Sequence, residues 1–515
     1  MLPFLFMAPY FISVVKEPMG IKTNLSVFVA LGCMLLVSGC AVNPVTGRQN
    51  FTLMSEAGEI QKGQEAAAKV RKVYSVYKDL PGLQSYVTEV GQKLVKISHR
   101  SQLDYNFTVL DSPQVNAFAL PGGYVYITRG LLAYLNSEAE LAAVLGHEIG
   151  HITARHSVQQ YSAAIAADVA ANVGALVAGM FMPPLGSMGG MVGQAIQTAL
   201  GLTGSALVLG YGRSQELEAD RLGAQYLARS GYDPKAMITV IGALKNQELF
   251  DIEAAKQEGR EPRRYHGLFA THPDNDTRLH EVVGEASKYE VTGVKDDHRA
   301  EFLRQTDGMI FGDSADHGVL RHNRFQHGKL GIWVTFPAGW RAQNQPDSVT
   351  AASPDRETMM SLSHLGNPEG SPADFARNHF HLKRSDNVLS VTNNGLPAAL
   401  VTSTTQDGEP FKAGIIYLDN NAYLLIGRSK SSAAFARDQS AINGTIESFR
   451  PLTEAEKNSL KPLEIRTIMA TKDMTYAELA HESPLGQNAE NYLRLINGQY
   501  NDGEPIPGLI IKIVK

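Results

Sequence analysis

The stretch LGHEIGHITARH, residues 145–156, constrains the fold more than any other part of the chain. His147 and His151 are four residues apart, so on a helix of 3.6 residues per turn they project from nearly the same side. Glu148 then lies about 100° around the helix axis from His147. Apolar residues recur at helical spacing around these polar side chains, and a Ser-x-x-Glu capping box precedes them at residues 137–140. The pattern predicts that the motif lies well inside a helix that begins near the box.

The spacing of these side chains suits a metal ion. Two imidazoles on one side of a helix can bind the same zinc ion, and the glutamate beside the first can accept a proton from a water that the metal polarises. Catalytic zinc needs a third protein ligand. The longer motif His-Glu-x-x-His-x-x-Gly-x-x-His does not supply it, because Ala154 and Ser157 occupy its glycine and third histidine positions. His156 comes one position early and about 140° around the helix from His151, which predicts a surface residue.

A later acidic stretch, QELEAD, offers the third ligand. Glu216 and Asp220 are four apart and share a helix face, whereas Glu218 points nearly the opposite way. Glu216 can complete the ligand set, and Asp220 can then orient the ring of His147 by accepting its other N–H. The alternative is a solvated acidic face that pairs with the neighbouring arginines.

The N-terminal region has the features of a secretory signal. A lysine, an apolar run and small residues predict a signal peptide over residues 1–39, and a polar tether follows over residues 40–55. The residues VSGC resemble the bacterial lipobox, and this resemblance implies a lipoprotein-type signal and lipidation of Cys40. The alternative is a plain membrane anchor, although the run is shorter than the roughly 20 residues that a bilayer requires. By resemblance to bacterial lipoproteins, the absence of aspartate after the cysteine favours the outer membrane. A second apolar stretch leaves open whether translation starts at Met1 or Met19.

The rest of the sequence predicts an α+β protein of about three domains, as expected for 515 residues. Residues 56–290 are mostly helical with a small sheet, residues 325–451 form an α+β domain, and residues 460–515 form a small strand-helix-helix-strand module. The formal net charge of −5 lacks the basic surplus of proteins that bind nucleic acid.

Several motifs together resemble one family. The Ste24/HtpX-like zinc metallopeptidases, which are gluzincins, have elements similar to four stretches of this chain: LGHEIGHITARH, VNAFALPGG, GRSQELEAD and FATHPDNDTR. The stretch NPVTGRQNFTLMSEAGEI resembles the periplasmic, BepA-like lipoprotein members of that family. The likeness covers about residues 41–290. It implies a gluzincin-type metallopeptidase domain whose small sheet has an edge strand beside the metal.

The resemblance also implies roles for individual residues. It implies that His147, His151 and Glu216 bind one zinc ion per chain. Glu148 would be the catalytic base, and Asp220 would contact a ligand histidine.

Two further elements follow from the same resemblance. Asn116, Ala117 and Phe118 would pair their backbone with an extended substrate, as in β-strand addition; the alternative for Phe118 is a purely structural core position. His272 would approach the zinc from a loop and hold the enzyme latent. The alternative for this histidine is a structural turn before Pro273.

The C-terminal segments carry weaker likenesses. Residues 325–451 resemble PsbP-like domains at FPAGW and SFRPL. Residues 460–515 resemble a divergent LysM module, which binds cell-wall glycan, although the usual Gly-Asp-Thr entry is replaced by KDMTYAEL. The alternative is a small packing domain without a ligand.

These observations predict a zinc-dependent endopeptidase of the bacterial cell envelope. It would be periplasmic and anchored to the outer membrane through Cys40, and the family resemblance implies that it acts on unfolded or misassembled envelope proteins. Peptidoglycan contact would come from the C-terminal module. The competing interpretation is an envelope chaperone or cell-wall adaptor with a latent or structural zinc site; a third is peptidoglycan hydrolysis.

Overall fold

The computed structural model describes most of the chain beyond the predicted signal peptide, whose residues 1–39 lie outside the described part. The described residues are 40–42, 44, 45, 47, 49–52, 54–163, 211–257, 284, 288, 296–314, 316–321, 323–345, 348–382, 387–405 and 407–515. No helix within these ranges combines the length and the apolar character that a bilayer crossing requires.

The first part of the chain is mostly helical, as the sequence predicts. Its elements are β1 (Cys40–Val42), β2 (Gln49–Phe51), α1 (Glu56–Val73), α2 (Pro81–Val95), β3 (Asn106–Leu110), β4 (Ala117–Leu120), β5 (Tyr124–Thr128), α3 (Arg129–Leu132), α4 (Glu138–Thr153), α5 (Arg213–Ser230), α6 (Ala236–Gln257), α7 (Arg299–Thr306) and β6 (Ile310–Phe311). Residues 156–163 are also helical. The segment predicted as a tether contains a short antiparallel hairpin, in which the backbone of Cys40 lies opposite that of Phe51.

A three-stranded sheet lies against the motif helix. Its strand order is β3-β5-β4, with β5 parallel to β3 and antiparallel to β4. Phe107 and Val109 of β3 are buried, and Thr108 between them is more exposed. β4 is the edge strand of this sheet and packs on α4. The sheet therefore brings an edge strand next to the helix that carries His147 and His151.

The second part is rich in strands. Its elements are β7 (Val319–Arg321), β8 (Arg324–His327), β9 (Ile332–Thr335), β10 (Arg341–Asn344), β11 (Ser348–Ala352), β12 (Thr358–His364), α8 (Pro372–His379), β13 (Val388–Asn393), β14 (Leu396–Thr404), β15 (Pro410–Leu418), β16 (Asn421–Ser429), α9 (Ser432–Ser448), β17 (Arg450–Pro451) and α10 (Glu454–Ser459).

A seven-stranded antiparallel sheet forms the centre of this second part, in the order β10-β11-β12-β16-β15-β14-β13. Ile442 and Ile446 of α9 pack on one face, where Gly427 and Gly414 leave room for them. α8 covers the other face, where Ala376 joins a separate apolar cluster. Strands β17-β9-β8-β7 form a second, four-stranded sheet. The arrangement is α+β, as predicted.

The last part of the chain packs against the first part. It contains β18 (Leu463–Met469), α11 (Tyr476–Glu482), a 3₁₀ turn (Gly486–Asn488), α12 (Ala489–Ile496) and β19 (Ile510–Val514), the predicted strand-helix-helix-strand order. β18 pairs with both β19 and β6. Ile465 and Leu493 belong to the same apolar core as α2, α4 and α5. The C-terminal segment and the helix that carries the histidine motif therefore share one core.

Candidate metal centre

The motif helix α4 begins where its sequence requires. The Ser137 hydroxyl accepts a hydrogen bond from the backbone N–H of Glu140 at 3.2 Å. The Glu140 carboxylate in turn accepts the backbone N–H of Asn136 at 2.6 Å. The box therefore closes on the residue before the N-cap rather than on the cap itself. Every residue of Glu138–Thr153 is buried, so the histidines lie inside the protein.

Small residues let α5 approach α4 closely. A Cβ atom on Gly150 would lie 3.0 Å from the carbonyl oxygen of Ala219, and one on Gly223 would lie 3.2 Å from the backbone nitrogen of His147. The two helices thus touch through their backbones. Because no bulky side chain separates them, the carboxylates of α5 can reach the imidazoles of α4.

Three side chains from these helices converge on one point. The Nε2 atoms of His147 and His151 are 3.0 Å apart. Glu216 places one oxygen 3.6 Å from the Nε2 atom of His147 and the other 3.5 Å from that of His151. Ligands of a tetrahedral zinc ion with bonds of about 2.0–2.2 Å lie about 3.3–3.5 Å from one another. The donor set of two imidazoles and one carboxylate suits zinc, and the two imidazole–carboxylate distances are close to these separations, while the two imidazole nitrogens lie slightly closer together.

Asp220 contacts the far side of the first histidine. Its Oδ1 atom lies 2.8 Å from Nδ1 of His147, and its side chain is almost completely buried. A carboxylate at this position favours hydrogen on Nδ1 and leaves Nε2 for a metal. Asp220 and Glu216 therefore act on His147 from opposite edges of its ring.

Glu148 is also buried, with 1% of its surface exposed. Its neighbour Tyr211 stacks on the ring of His151, with centroids 3.8 Å apart, and its hydroxyl lies 2.8 Å from Oγ of Ser157. Burial raises the pKa of the Tyr211 hydroxyl against the opposing hydrogen bond to Ser157, and the charges of Glu148 and Glu216 raise it further. The charges of Glu148 and Glu216 thus both act on the buried hydroxyl of Tyr211.

The prediction that His156 lies on the surface is wrong. This histidine is fully buried, and its Nδ1 atom lies 2.8 Å from Nδ1 of His151. The helical extrapolation fails because α4 ends at Thr153 and Arg155 takes a left-handed backbone conformation, with φ of 58°. The chain turns there, so His156 returns toward the motif. The spacing of residues in the sequence does not predict a positive φ at an arginine.

The side chains and the backbone of the predicted substrate strand have different roles. Phe118 stacks on Tyr126 with centroids 4.9 Å apart and belongs to a small apolar core, so its side chain has a structural place. Asn116 precedes β4; its carbonyl oxygen accepts the backbone N–H of Thr128, and its own backbone N–H donates to the side-chain hydroxyl of Thr128. Ala117 begins the edge strand. Pairing of this backbone with a substrate stays a prediction, and His272 lies outside the described residues.

Part of the chain is similar to known peptidases. Residues 81–286 match peptidase family M48. The "Beta-barrel assembly-enhancing protease" of Escherichia coli is 30% identical over 250 residues, which cover 48% of this chain and 47% of that protein. The "Mitochondrial metalloendopeptidase OMA1" of Schizosaccharomyces pombe is 31% identical over 202 residues, which cover 38% of this chain and 55% of that protein. The chain spans about half the length of these curated relatives.

Among solved structures, cyanobacterial PsbP from Synechocystis is similar to 26% of this chain, over 95% of its own length, with 14% identity and a TM-score of 0.21. A Mog1 mutant is similar to 25% of the chain, over 94% of its own length, with 11% identity and a TM-score of 0.19.

Proposed function

Because residues 81–286 of the chain belong to peptidase family M48, whose members depend on zinc, we propose that the whole protein is a zinc endopeptidase of the bacterial cell envelope. The observation that carries the proposal is the convergence of His147, His151 and Glu216 at the separations of zinc ligands. Its substrates would be unfolded or misassembled envelope proteins. The name of the Escherichia coli relative, a protease that enhances β-barrel assembly, supports that class.

Each residue of the site has a distinct task in this proposal. His147, His151 and Glu216 would hold zinc, and the bound ion would supply a Lewis acid able to polarise the scissile carbonyl and acidify water. Glu148 accepts a proton from the attacking water at its carboxylate and passes it to the leaving amine. Asp220 holds the ring of His147 through the 2.8 Å contact.

Substrate would bind along β4. An extended peptide can add to an edge strand through main-chain hydrogen bonds, and the backbone of Asn116, Ala117 and Phe118 would supply them. The buried ring of Phe118 fixes the strand against the small core behind it. The strand therefore offers backbone groups to a substrate while its side chains hold it in place.

Anchoring and latency complete the proposal. Lipidation of Cys40 would hold the mature protein on the periplasmic side of the outer membrane, and a Cys40→Ser variant should leave the membrane fraction. Peptidoglycan contact through residues 460–515 would need binding to purified sacculi. His272 would hold the site latent as an additional zinc contact.

The test compares casein cleavage and zinc content in purified full chain, kept in detergent, with the Glu148→Gln variant. We expect one zinc ion per chain in both proteins and a loss of cleavage of at least about 100-fold in the variant, the usual contribution of a general base. Glu65→Gln, a change at an exposed glutamate of α1, is the matched control and should keep full activity. Equal cleavage by Glu148→Gln and wild type would refute the base assignment.

The competing interpretation, a chaperone or adaptor with a structural zinc, is separated by His272→Ala. A structural zinc site normally has four protein ligands, so loss of a fourth ligand should lower zinc affinity and stability without any cleavage appearing. A latent enzyme should instead keep its zinc and cleave casein faster. Release of muropeptides from sacculi without casein cleavage would favour a peptidoglycan hydrolase.

A further inference from the structure

A second histidine and a second carboxylate lie behind His151. The Nδ1 atom of His156 is 2.8 Å from Nδ1 of His151. On its other side, the Nε2 atom of His156 is 3.2 Å from an oxygen of Glu218. Both histidine side chains are fully buried, whereas the Glu218 side chain is 19% exposed. The three groups form a line from the candidate metal ligand to the edge of the protein.

Only one arrangement of hydrogens satisfies this line when Nε2 of His151 binds a metal. That nitrogen faces His147 and Glu216 and must offer its lone pair. The hydrogen of the neutral ring then sits on Nδ1 and is donated to Nδ1 of His156. His156 consequently carries its own hydrogen on Nε2 and donates it to Glu218. A carboxylate only accepts hydrogen bonds. Glu218 therefore fixes which atom donates and which accepts in both hydrogen bonds of the line.

We propose that His156 and Glu218 are positioning residues that fix the ring orientation and the tautomer of His151 for zinc binding. The proposal rests on the proposed function, because it takes His151 to be a ligand. Neither residue touches the metal or the substrate. Their role is the one that Asp220 has toward His147, with an imidazole placed between the ligand and the carboxylate.

The fold explains why this contact exists. Arg155 turns the chain with a positive φ, and its guanidinium bonds to Glu59 at 2.9 Å and to the carbonyl oxygen of Met54 at 3.0 Å. Glu59 also pairs with Arg100, which donates to the carbonyl oxygen of Ile152 at 3.1 Å. This buried network holds the end of α4 and the turn after it in place. The turn therefore keeps His156 next to His151. Glu218 comes from α5, the helix that also carries Glu216 and Asp220.

The test measures the zinc dissociation constant of the purified full chain in detergent, by competition with a chromophoric chelator. His156→Phe keeps the ring shape but removes the acceptor for Nδ1 of His151. Outer contacts of ligand histidines typically contribute tenfold to 100-fold in metal affinity, so we expect zinc binding weaker by roughly that factor. His156→Asn retains an acceptor near the position of Nδ1 and should restore at least half of the loss on a logarithmic scale.

Two controls separate positioning from folding. His99→Phe removes a histidine of the same domain that is not a candidate ligand; its Nδ1 lies 2.7 Å from the hydroxyl of buried Tyr226, and the two rings are in contact. It should lower the melting temperature of the zinc-free protein without changing zinc affinity. Glu218→Leu changes the partly exposed end of the line and is used if His156→Phe does not fold. It should weaken zinc binding roughly tenfold.

Each outcome bears on a different claim. If wild type binds no zinc, the proposed function fails. If wild type binds zinc and cleaves casein while His156→Phe or Glu218→Leu binds zinc equally tightly, only the positioning proposal fails. If His156→Asn is as weak as His156→Phe, the hydrogen bond to His151 is not the cause and the proposal is also overturned.

Discussion

Oδ1 of Asp220 lies 2.8 Å from Nδ1 of His147, and this contact links α5 to α4 at the candidate metal centre. A neutral amide accepts more weakly than a carboxylate. We expect Asp220→Asn to weaken zinc binding roughly tenfold to 100-fold, measured by chelator competition. The melting temperature of the zinc-free protein should change little, because the amide has nearly the shape of the carboxylate. Unchanged zinc affinity would show that Asp220 does not orient the ring.

The close approach of α4 and α5 makes a second prediction. Gly150→Ala would bring its Cβ atom to 3.0 Å from the carbonyl oxygen of Ala219. That contact is with backbone, so the helices must separate, and we expect the free energy of unfolding to fall by about 1–3 kcal/mol. Zinc affinity should fall with it, since Glu216 moves with α5. Denaturant titration and chelator competition measure the two effects.

Gly242→Ala is the matched control for this change. A Cβ atom there would have nothing within 4 Å. Because alanine favours the helix more than glycine does, this variant should be as stable as wild type or more stable, by up to about 1 kcal/mol. If both alanine variants had the same free energy of unfolding, the close contact between α4 and α5 would not be needed for stability.

The C-terminal segment contributes to the stability of the first part. Nζ of Lys512, which is fully buried, donates to the carbonyl oxygens of Ala133 and Leu135 at 2.7 Å. Burial lowers the pKa of Lys512 well below its ordinary value, although the nearby carboxylate of Glu140 opposes this. Lys512→Met leaves the two carbonyl groups without this donor. We expect the free energy of unfolding to fall by about 2–4 kcal/mol, as measured by denaturant titration.

Lys472→Met, at an exposed lysine of the same segment, is the control and should stay within about 0.5 kcal/mol of wild type. A Lys512→Met variant with unchanged stability would show that the C-terminal segment folds independently of the first part.

The β-rich part should lose stability in mild acid. Burial lowers the pKa of His327 to about 4, and the positive charges of His317, Lys329 and His364 add to the effect. Its Nδ1 atom accepts the backbone N–H of Leu330 at 3.3 Å, which requires the neutral ring. The unfolded chain therefore binds the proton first as the pH falls. Stability is full above about pH 6.5 and falls toward pH 4, by on the order of 3 kcal/mol.

Denaturant titrations of this part between pH 7 and pH 4 measure the effect. His327→Gln, which removes the titrating group, should flatten the dependence between these limits. A wild-type stability that stays constant over this range would contradict the buried neutral state of His327.

Local patterns predicted the parts of the site that lie on continuous helices. The capping box placed the start of α4. Glu216 and Asp220 share a face because they are four residues apart on one helix. Their donor chemistry made Glu216 a candidate third ligand, with a solvated acidic face as the alternative, and the resemblance favoured the ligand, since helix periodicity says nothing about which helices pack together.

The missed features depend on contacts between distant residues or on a local break in periodicity. His156 was misplaced because the left-handed conformation of Arg155 is stabilised by Glu59, almost 100 positions earlier in the chain. The burial of Lys512 depends on carbonyl groups more than 370 positions away. A buried lysine in a strand of apolar residues gives no sign in the sequence of the partner that satisfies it.

If His147, His151 and Glu216 form one zinc site that serves peptide hydrolysis, loss of the Glu216 carboxylate must remove both zinc and activity. Zinc content and casein cleavage are measured in the same preparations of wild type and Glu216→Gln. We expect one zinc ion per chain and cleavage in wild type, with both largely lost in the variant because an amide is a much poorer zinc ligand than a carboxylate. A Glu216→Gln protein that keeps one zinc ion per chain and cleaves casein at the wild-type rate would contradict this expectation.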